Sequence, residues 1–255
     1  MQTKVNIRHI KSKTFIESES FKKLRTSIQF SGKNIKSIAF TSTIPGEGKS
    51  EVTYRVACSL ADMGKKTIFV DADLRNSTFT GRMIEDSQGE LKGLVHYLVG
   101  ENTLDEIIVN TQNPNFDFIP IGAFPPNPSE LMAQEGFGEL VNELKERYDY
   151  VILDTAPAGY VVDGVLASAA ADGVIFLMES GNVSAKAAKD TVEALNNAGC
   201  KLIGCVLNKC TTQGNNGYGY SHYGSSYAYG YGYFRDFSGS KEKESIFRKI
   251  LKKRK

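Results

Sequence analysis

The 255-residue sequence has no apolar run long enough to cross a bilayer, and it shows nothing like a signal peptide. The longest candidate, Val161 to Ala171, is interrupted by Asp163. These absences predict a protein made and kept in the cytoplasm. Metal-site signatures are missing too. The four cysteines, Cys58, Cys200, Cys205 and Cys210, include no CxxC pair, and His96 and His222 do not stand at zinc-finger spacing. The thiols are therefore expected to be buried small hydrophobes or idle groups. The net charge of only +2 is unevenly spread. Residues 241–255 carry eight Lys/Arg and two Glu, whereas the other 240 residues carry 23 basic and 27 acidic side chains. A mildly acidic body argues against nucleic-acid binding, and the basic tip predicts contact with something anionic.

Between Gly214 and Gly232 aliphatic side chains are almost absent, Ala228 being the exception. The stretch is almost wholly Gly, Tyr, Ser and Asn, and seven of the twelve tyrosines fall here or just beyond: Tyr218, Tyr220, Tyr223, Tyr227, Tyr229, Tyr231 and Tyr233. Such a segment cannot offset its ordering entropy and is expected to be flexible. Lys243–Lys255, drawn as a helix, puts Ile246, Phe247, Ile250 and Leu251 on one stripe with basic residues around it. That is the pattern of an interfacial helix, with an anionic membrane surface as its candidate partner.

Apolar residues at 21, 24 and 28 predict a helix within Ile16–Phe30. From Lys36 onward, short apolar runs alternate with amphipathic stretches. The runs are Ser37–Thr41, Thr67–Val70, Phe116–Ile121, Tyr150–Leu153, Val174–Met178 and Leu202–Leu207. The helix-like stretches include Lys49–Met63, Ser129–Tyr148 and Ser184–Ala198. Alternating strands and helices, with strands apolar on both faces, predict an α/β fold: a mostly parallel sheet covered by helices on both sides. The chain divides into a helical segment at 1–35, a core domain at 36–209, a Gly/Tyr-rich tail at 210–240 and a basic C-terminus at 241–255.

The first predicted strand leads into Thr43-Ile44-Pro45-Gly46-Glu47-Gly48-Lys49-Ser50, with Glu51 following in the helix. Backbone N–H groups and a helix N-terminus here would cradle phosphates. Lys49 would reach the β- and γ-phosphates of ATP, and the Ser50 hydroxyl would ligate Mg²⁺. Thr43 stands where such loops usually have their first glycine. Two further strands end on carboxylates, at Asp71-Ala72-Asp73-Leu74-Arg75 and at Asp154-Thr155-Ala156-Pro157. Carboxylates at the carboxyl ends of strands, facing a phosphate loop, suit Mg²⁺ and its waters around a γ-phosphate.

At these residues the chain resembles the bacterial tyrosine kinase family, in the form found in Gram-positive capsule and exopolysaccharide loci. The resemblance rests on Pro45–Ser50, Asp71–Arg75 and Asp154–Pro157. It continues through Ile119–Gly122, Pro125–Leu131 and Gly204–Lys209 to the tyrosine cluster. It implies a P-loop ATPase fold and γ-phosphoryl transfer from Mg·ATP to tyrosine, with the tail tyrosines as acceptors. Carried over, Pro45, Gly46, Glu47, Gly48, Lys49, Ser50, Glu51 and Asn208 bind nucleotide, Asn208 at the adenine edge. Ser50, Asp73 and Asp154 hold the metal, and Asp71 accepts the tyrosine proton. The family's N-terminal E-x-x-R-x-x-R oligomerisation motif stands here as Glu19, Lys22 and Arg25. Lys22 cannot reproduce a bidentate arginine fork, so self-association is expected to be weaker. The resemblance also implies homo-oligomers that phosphorylate in trans, a separate transmembrane polysaccharide co-polymerase as activator, and a location peripheral to the inner face of the membrane.

Two other readings remain open at this point. A chromosome- or division-site-positioning ATPase shares the fold. Such proteins usually place a second lysine early in the phosphate loop, and Thr43-Ile44-Pro45 has none. A catalytically silent interaction protein with an adhesive tail would have no use for Lys49, Asp71, Asp73 and Asp154.

Overall fold

The computed structural model describes residues 4–8, 10, 12, 14–77, 82–84 and 91–210. The tail tyrosines and the basic C-terminus expected from the sequence lie outside the described residues. In chain order the elements are α1 (Phe15–Phe30), β1 (Ser37–Ser42), α2 (Lys49–Ala61), β2 (Thr67–Ala72), α3 (Leu94–Leu98) and α4 (Leu104–Ile107). They continue with β3 (Val109–Asn110), β4 (Phe116–Ile119), α5 (Pro128–Met132), α6 (Glu135–Arg147) and β5 (Tyr150–Thr155). The last are α7 (Val162–Ala169), β6 (Gly173–Glu179), α8 (Ala185–Asn197) and β7 (Leu202–Asn208).

The seven strands form one sheet in the order β3-β4-β2-β5-β1-β6-β7. Every neighbouring pair is parallel except β3–β4. Strand side chains alternate between two cores, as the period of two requires. Ile38, Phe40, Phe69, Ile152, Ile175 and Leu177 enter the core shared with α1 and α2. Ala39, Ile68, Val70, Val151, Leu153, Val174 and Phe176 enter the core shared with the other helices. The expected two-sided sheet is what forms. At the N-terminus Val5 and Ile7 are also buried in the first core, and the Val5 N–H donates to Asn110 O at 3.0 Å.

Some boundaries differ from expectation. The single helix expected over Ser129–Tyr148 is two, α5 and α6, with Gln134 in an extended conformation between them. On one continuous helix Met132 and Phe137 would face about 140° apart, yet both are buried in the same core. The break turns both inward. Strand β4 stops at Ile119 rather than Ile121, because the Pro120 and Ile121 carbonyls accept from the Leu94 and Val95 N–H groups of α3, at 2.7 and 3.0 Å. Strand β3 is too short for periodicity to reveal. Among the described residues, no helix is long and apolar enough to cross a membrane.

Candidate active site

The carboxyl ends of β1, β2 and β5 meet at one place, and the sequence puts its chemistry there. Residues 43–48 loop from β1 to α2. Gly46 and Gly48 have φ of +86° and +87°, a region L side chains avoid. A Cβ on Gly48 would also lie 2.3 Å from Asn208 Nδ2, so glycine is required twice over.

The loop is fastened from behind. Glu47 is buried, and its carboxylate turns into the loop. It accepts from Thr43 N at 2.8 Å, Ile44 N at 2.9 Å and Glu179 N at 2.8 Å. Asn208, at the end of β7, donates to Glu47 O at 2.8 Å. Lys209 follows, with φ of +54°, and its ammonium donates to Gly46 O at 2.8 Å and to Glu179 at 3.0 Å. The loop, expected to hold phosphate, is thereby held itself by the ends of β6 and β7. Glu51 lies on the exposed side of α2 and pairs with Arg55 at 3.4 Å.

Lys49 opens α2 and is buried among carboxylates. Its Nζ donates to Asp154 Oδ1 at 2.8 Å and lies 3.9 Å from Asp73 Oδ2. Ser50 follows at the start of α2, its hydroxyl near Asp154. Asp71 and Asp154 are register partners on β2 and β5, so parallel pairing alone sets the two carboxylates side by side. Burial, more than the nearby Asp154, pushes Asp71 up to about 8. Its Oδ2 accepts from the Ser77 hydroxyl, whereas its buried Oδ1 has no hydrogen-bond partner among the described residues. Burial raises Asp154 as well, outweighing the bond from Lys49. Asp73 Oδ1 accepts from the Arg75 and Asn76 N–H groups at 3.3 and 3.1 Å, in a turn closing on its own carboxylate.

These residues suit a hydrated divalent cation better than a dehydrated one. Among the described residues, no three His, Cys, Asp or Glu side chains converge as a ready metal cage. The arrangement is one hydroxyl at the helix start, carboxylates set back from it, and an orphaned oxygen on Asp71. Mg²⁺ keeps several waters and is commonly held by one or two carboxylates plus substrate phosphates.

The expected site residues thus fall in one place: Pro45–Ser50 in the loop, Asp71, Asp73 and Asp154 around Lys49, and Asn208 against the loop. The expected oligomerisation residues lie elsewhere, on α1. Lys22 pairs with Glu19 within the helix at 2.7 Å, and Arg25 donates to the Ser59 hydroxyl of α2 at 2.9 Å. Sequence reasoning did not single out Ser77 or Glu179, and it met Lys209 only as the last residue of the Gly204–Lys209 match, with no role assigned. Ser77 and Glu179 lie outside any motif, and Lys209 acts across long sequence separation.

Comparison with known proteins places this geometry. The AAA domain family (AAA_31) matches residues 35–202. The tyrosine-protein kinase CpsD of Streptococcus agalactiae is 39% identical over 191 residues, covering 75% of this chain and 82% of that protein. The tyrosine-protein kinase YwqD of Bacillus subtilis is 33% identical over 208 residues, covering 80% and 86%. Among solved structures, the chimerical protein CapA2B2 superposes with a TM-score of 0.71 at 30% identity, covering 83% of this chain and 95% of that one. The septum site-determining protein MinD of Pyrococcus horikoshii, solved with Mg-ADP, superposes at 0.59 and 25% identity, covering 70% and 72%.

Proposed function

This chain belongs to the bacterial tyrosine-protein kinase family, and on that premise we propose how its residues carry phosphoryl transfer and what they phosphorylate. It is a tyrosine-protein kinase built on an ATP-binding P-loop domain. The observation that carries the reading is Lys49 at the mouth of the phosphate loop, 2.8 Å from Asp154 and 3.9 Å from Asp73, with Asp71 the register partner of Asp154 on the neighbouring strand.

Lys49 turns from Asp154 to the β- and γ-phosphates of ATP, while Pro45–Gly48 and the start of α2 enclose them. Ser50, Asp73 and Asp154 would hold Mg²⁺ through its waters, and the ion would supply charge neutralisation at the phosphates. The acceptor phenol attacks the γ-phosphorus, the bond to the bridging oxygen of ADP breaks, and the phenolic proton passes to Asp71 Oδ1. That oxygen has no hydrogen-bond partner among the described residues, and it takes the proton from the phenol in the ionised form of the carboxyl. Asn208 meets the adenine edge. The acceptors are the seven tyrosines between Tyr218 and Tyr233, and the pathway served is capsular or exopolysaccharide assembly, with a transmembrane co-polymerase as activator. A positioning ATPase shares only the fold, and the kinases match over more of the chain.

Phosphorylation passes between chains, the tail of one chain entering the site of a neighbour. In a mixture of Lys49→Met chains with active chains lacking residues 214–233, phosphotyrosine is expected on the tail of the inactive chain. Label that depends on a tail and an active site in the same chain would show transfer in cis instead.

The basic segment 243–255 adds weak attraction to anionic membrane, each basic residue near the surface contributing about 1 kcal/mol. The full chain is expected to co-sediment with vesicles containing phosphatidylserine at low salt and to be released by salt. A chain ending at Ser240 is expected to stay in solution, and equal sedimentation of the two would remove the membrane role.

A further inference from the structure

Asp163 lies in the first turn of α7, within the apolar stretch from Val161, yet its side chain is only 1% exposed. Both of its oxygens are engaged. One accepts from Arg75 Nε; the other accepts from the Ser129 hydroxyl at 2.6 Å and from Arg75 Nη2 at 3.3 Å. Arg75 Nη2 also donates to Ser129 Oγ at 2.9 Å, which closes a three-residue ring of bonds. The partners come from separate places: Arg75 from the turn after β2, Ser129 from the first turn of α5, and Asp163 from α7. Burial alone would raise this carboxyl, but the bonds from Arg75 and Ser129 prevail and hold it below the usual range.

A buried charge is expensive in an apolar setting, and an apolar side chain of like volume is often as stabilising. What the ion pair supplies is geometry. Arg75 belongs to the turn that closes on Asp73, its own N–H bonding Asp73 Oδ1. Pinning the guanidinium fixes that turn and leaves Asp73 Oδ2 directed at Lys49, 3.9 Å away.

We propose that Asp163 is a positioning residue for the metal–phosphate site, acting with Ser129 through Arg75 to hold the 73–76 turn and aim Asp73. The proposal rests on the reading of Asp73 as a residue that holds Mg²⁺. Other readings fit less well. Among the described residues the side-chain hydrogen bonds of Asp163 go to Arg75 and Ser129 and not to the loop or Lys49, and a simple structural tie would not need to meet a guanidinium on this one turn.

The test is affinity for a fluorescent ADP analogue, measured in excess Mg²⁺ and again in EDTA, together with thermal melting. Wild type is expected to bind more tightly with Mg²⁺. Asp163→Asn is expected to lose about tenfold of the Mg²⁺-dependent gain, the usual scale for groups that orient metal ligands, with EDTA affinity unchanged. Arg75→Lys and Ser129→Ala, milder changes, should lose part of the gain and carry the test if Asp163→Asn does not fold. Equal weakening in Mg²⁺ and EDTA would mean a general structural role and overturn the proposal. So would an intact gain in Asp163→Asn alongside a lost gain in Asp73→Asn. If Asp73→Asn itself keeps the gain, the metal reading of Asp73 fails, and the proposal with it.

Discussion

Replacing Lys49 with methionine is expected to cut phosphoryl transfer by about a hundredfold to a thousandfold, the scale of losing one preorganised charge on a developing transition state. Methionine keeps the length and bulk of the stem, so the loop and the start of α2 need not move. Truncating one partner of a buried ion pair normally costs about 3–5 kcal/mol, because the other charge is stranded. Here that cost is relieved, since Asp154 is already pushed toward its neutral form by burial and can take a proton. The variant should therefore melt close to wild type while losing activity. A phosphotyrosine assay at saturating ATP, beside a melting curve, checks both halves. A folded Lys49→Met chain with near wild-type activity would show that the phosphates do not lie on this loop.

Replacing Asp71 with asparagine should have the opposite effects on activity and on stability. Loss of the base is expected to lower the rate about a hundredfold or more, yet the nucleotide-free protein should become more stable. Asp71 is buried beside Asp154, and one of its oxygens has no partner among the described residues. Its folded-state pKa of about 8 lies well above the ordinary carboxylate value near 4. Between those values the folded chain keeps a proton that the unfolded chain releases, so stability falls as pH rises through this window. Asparagine does not titrate and removes that fall. The gain in Tm should be small near pH 4 and grow to about 3 °C or more at pH 8, each kcal/mol being worth about 2–4 °C in a chain of this size. Melting in EDTA at pH 5 and pH 8 measures it. A variant less stable than wild type at pH 8 would contradict this electrostatic picture of the site.

Much of this was legible in the sequence, for a physical reason. The phosphate loop is contiguous, and its chemistry is dense: two glycines, Lys49 and Ser50 within a strand-to-helix turn. Asp71 and Asp154 could be placed at strand ends because their strands are apolar runs with sharp polar stops. Parallel pairing then brought the two together without any further signal. Element boundaries were less legible where tertiary packing decides them. The helix break at Gln134 depends on Met132 and Phe137 sharing one core, and the end of β4 depends on α3 taking its carbonyls.

Long-range polar contacts were the least legible. Asp163 stood out in the sequence only as a charge interrupting an apolar run, yet its partners are Arg75, 88 residues away, and Ser129. Glu47 could be read as a loop residue. That its carboxylate serves the loop and the end of β6, 132 residues on, emerges only when the sheet is assembled. The expected oligomerisation residues show the converse. Lys22 and Arg25 both find partners within the chain, with Glu19 and Ser59. Self-association would have to compete with those bonds or leave them in place.

On the proposed function, this chain moves the γ-phosphoryl group of ATP to tyrosines in its own C-terminal segment. The direct test is site mapping by mass spectrometry after incubation of the purified chain with Mg·ATP, with and without the proposed co-polymerase activator. Phosphate is expected on tyrosines between Tyr218 and Tyr233, absent when Lys49 is replaced or Mg²⁺ is chelated. Phosphate on serine or threonine, or none at all with the activator present and ATP bound, would contradict it.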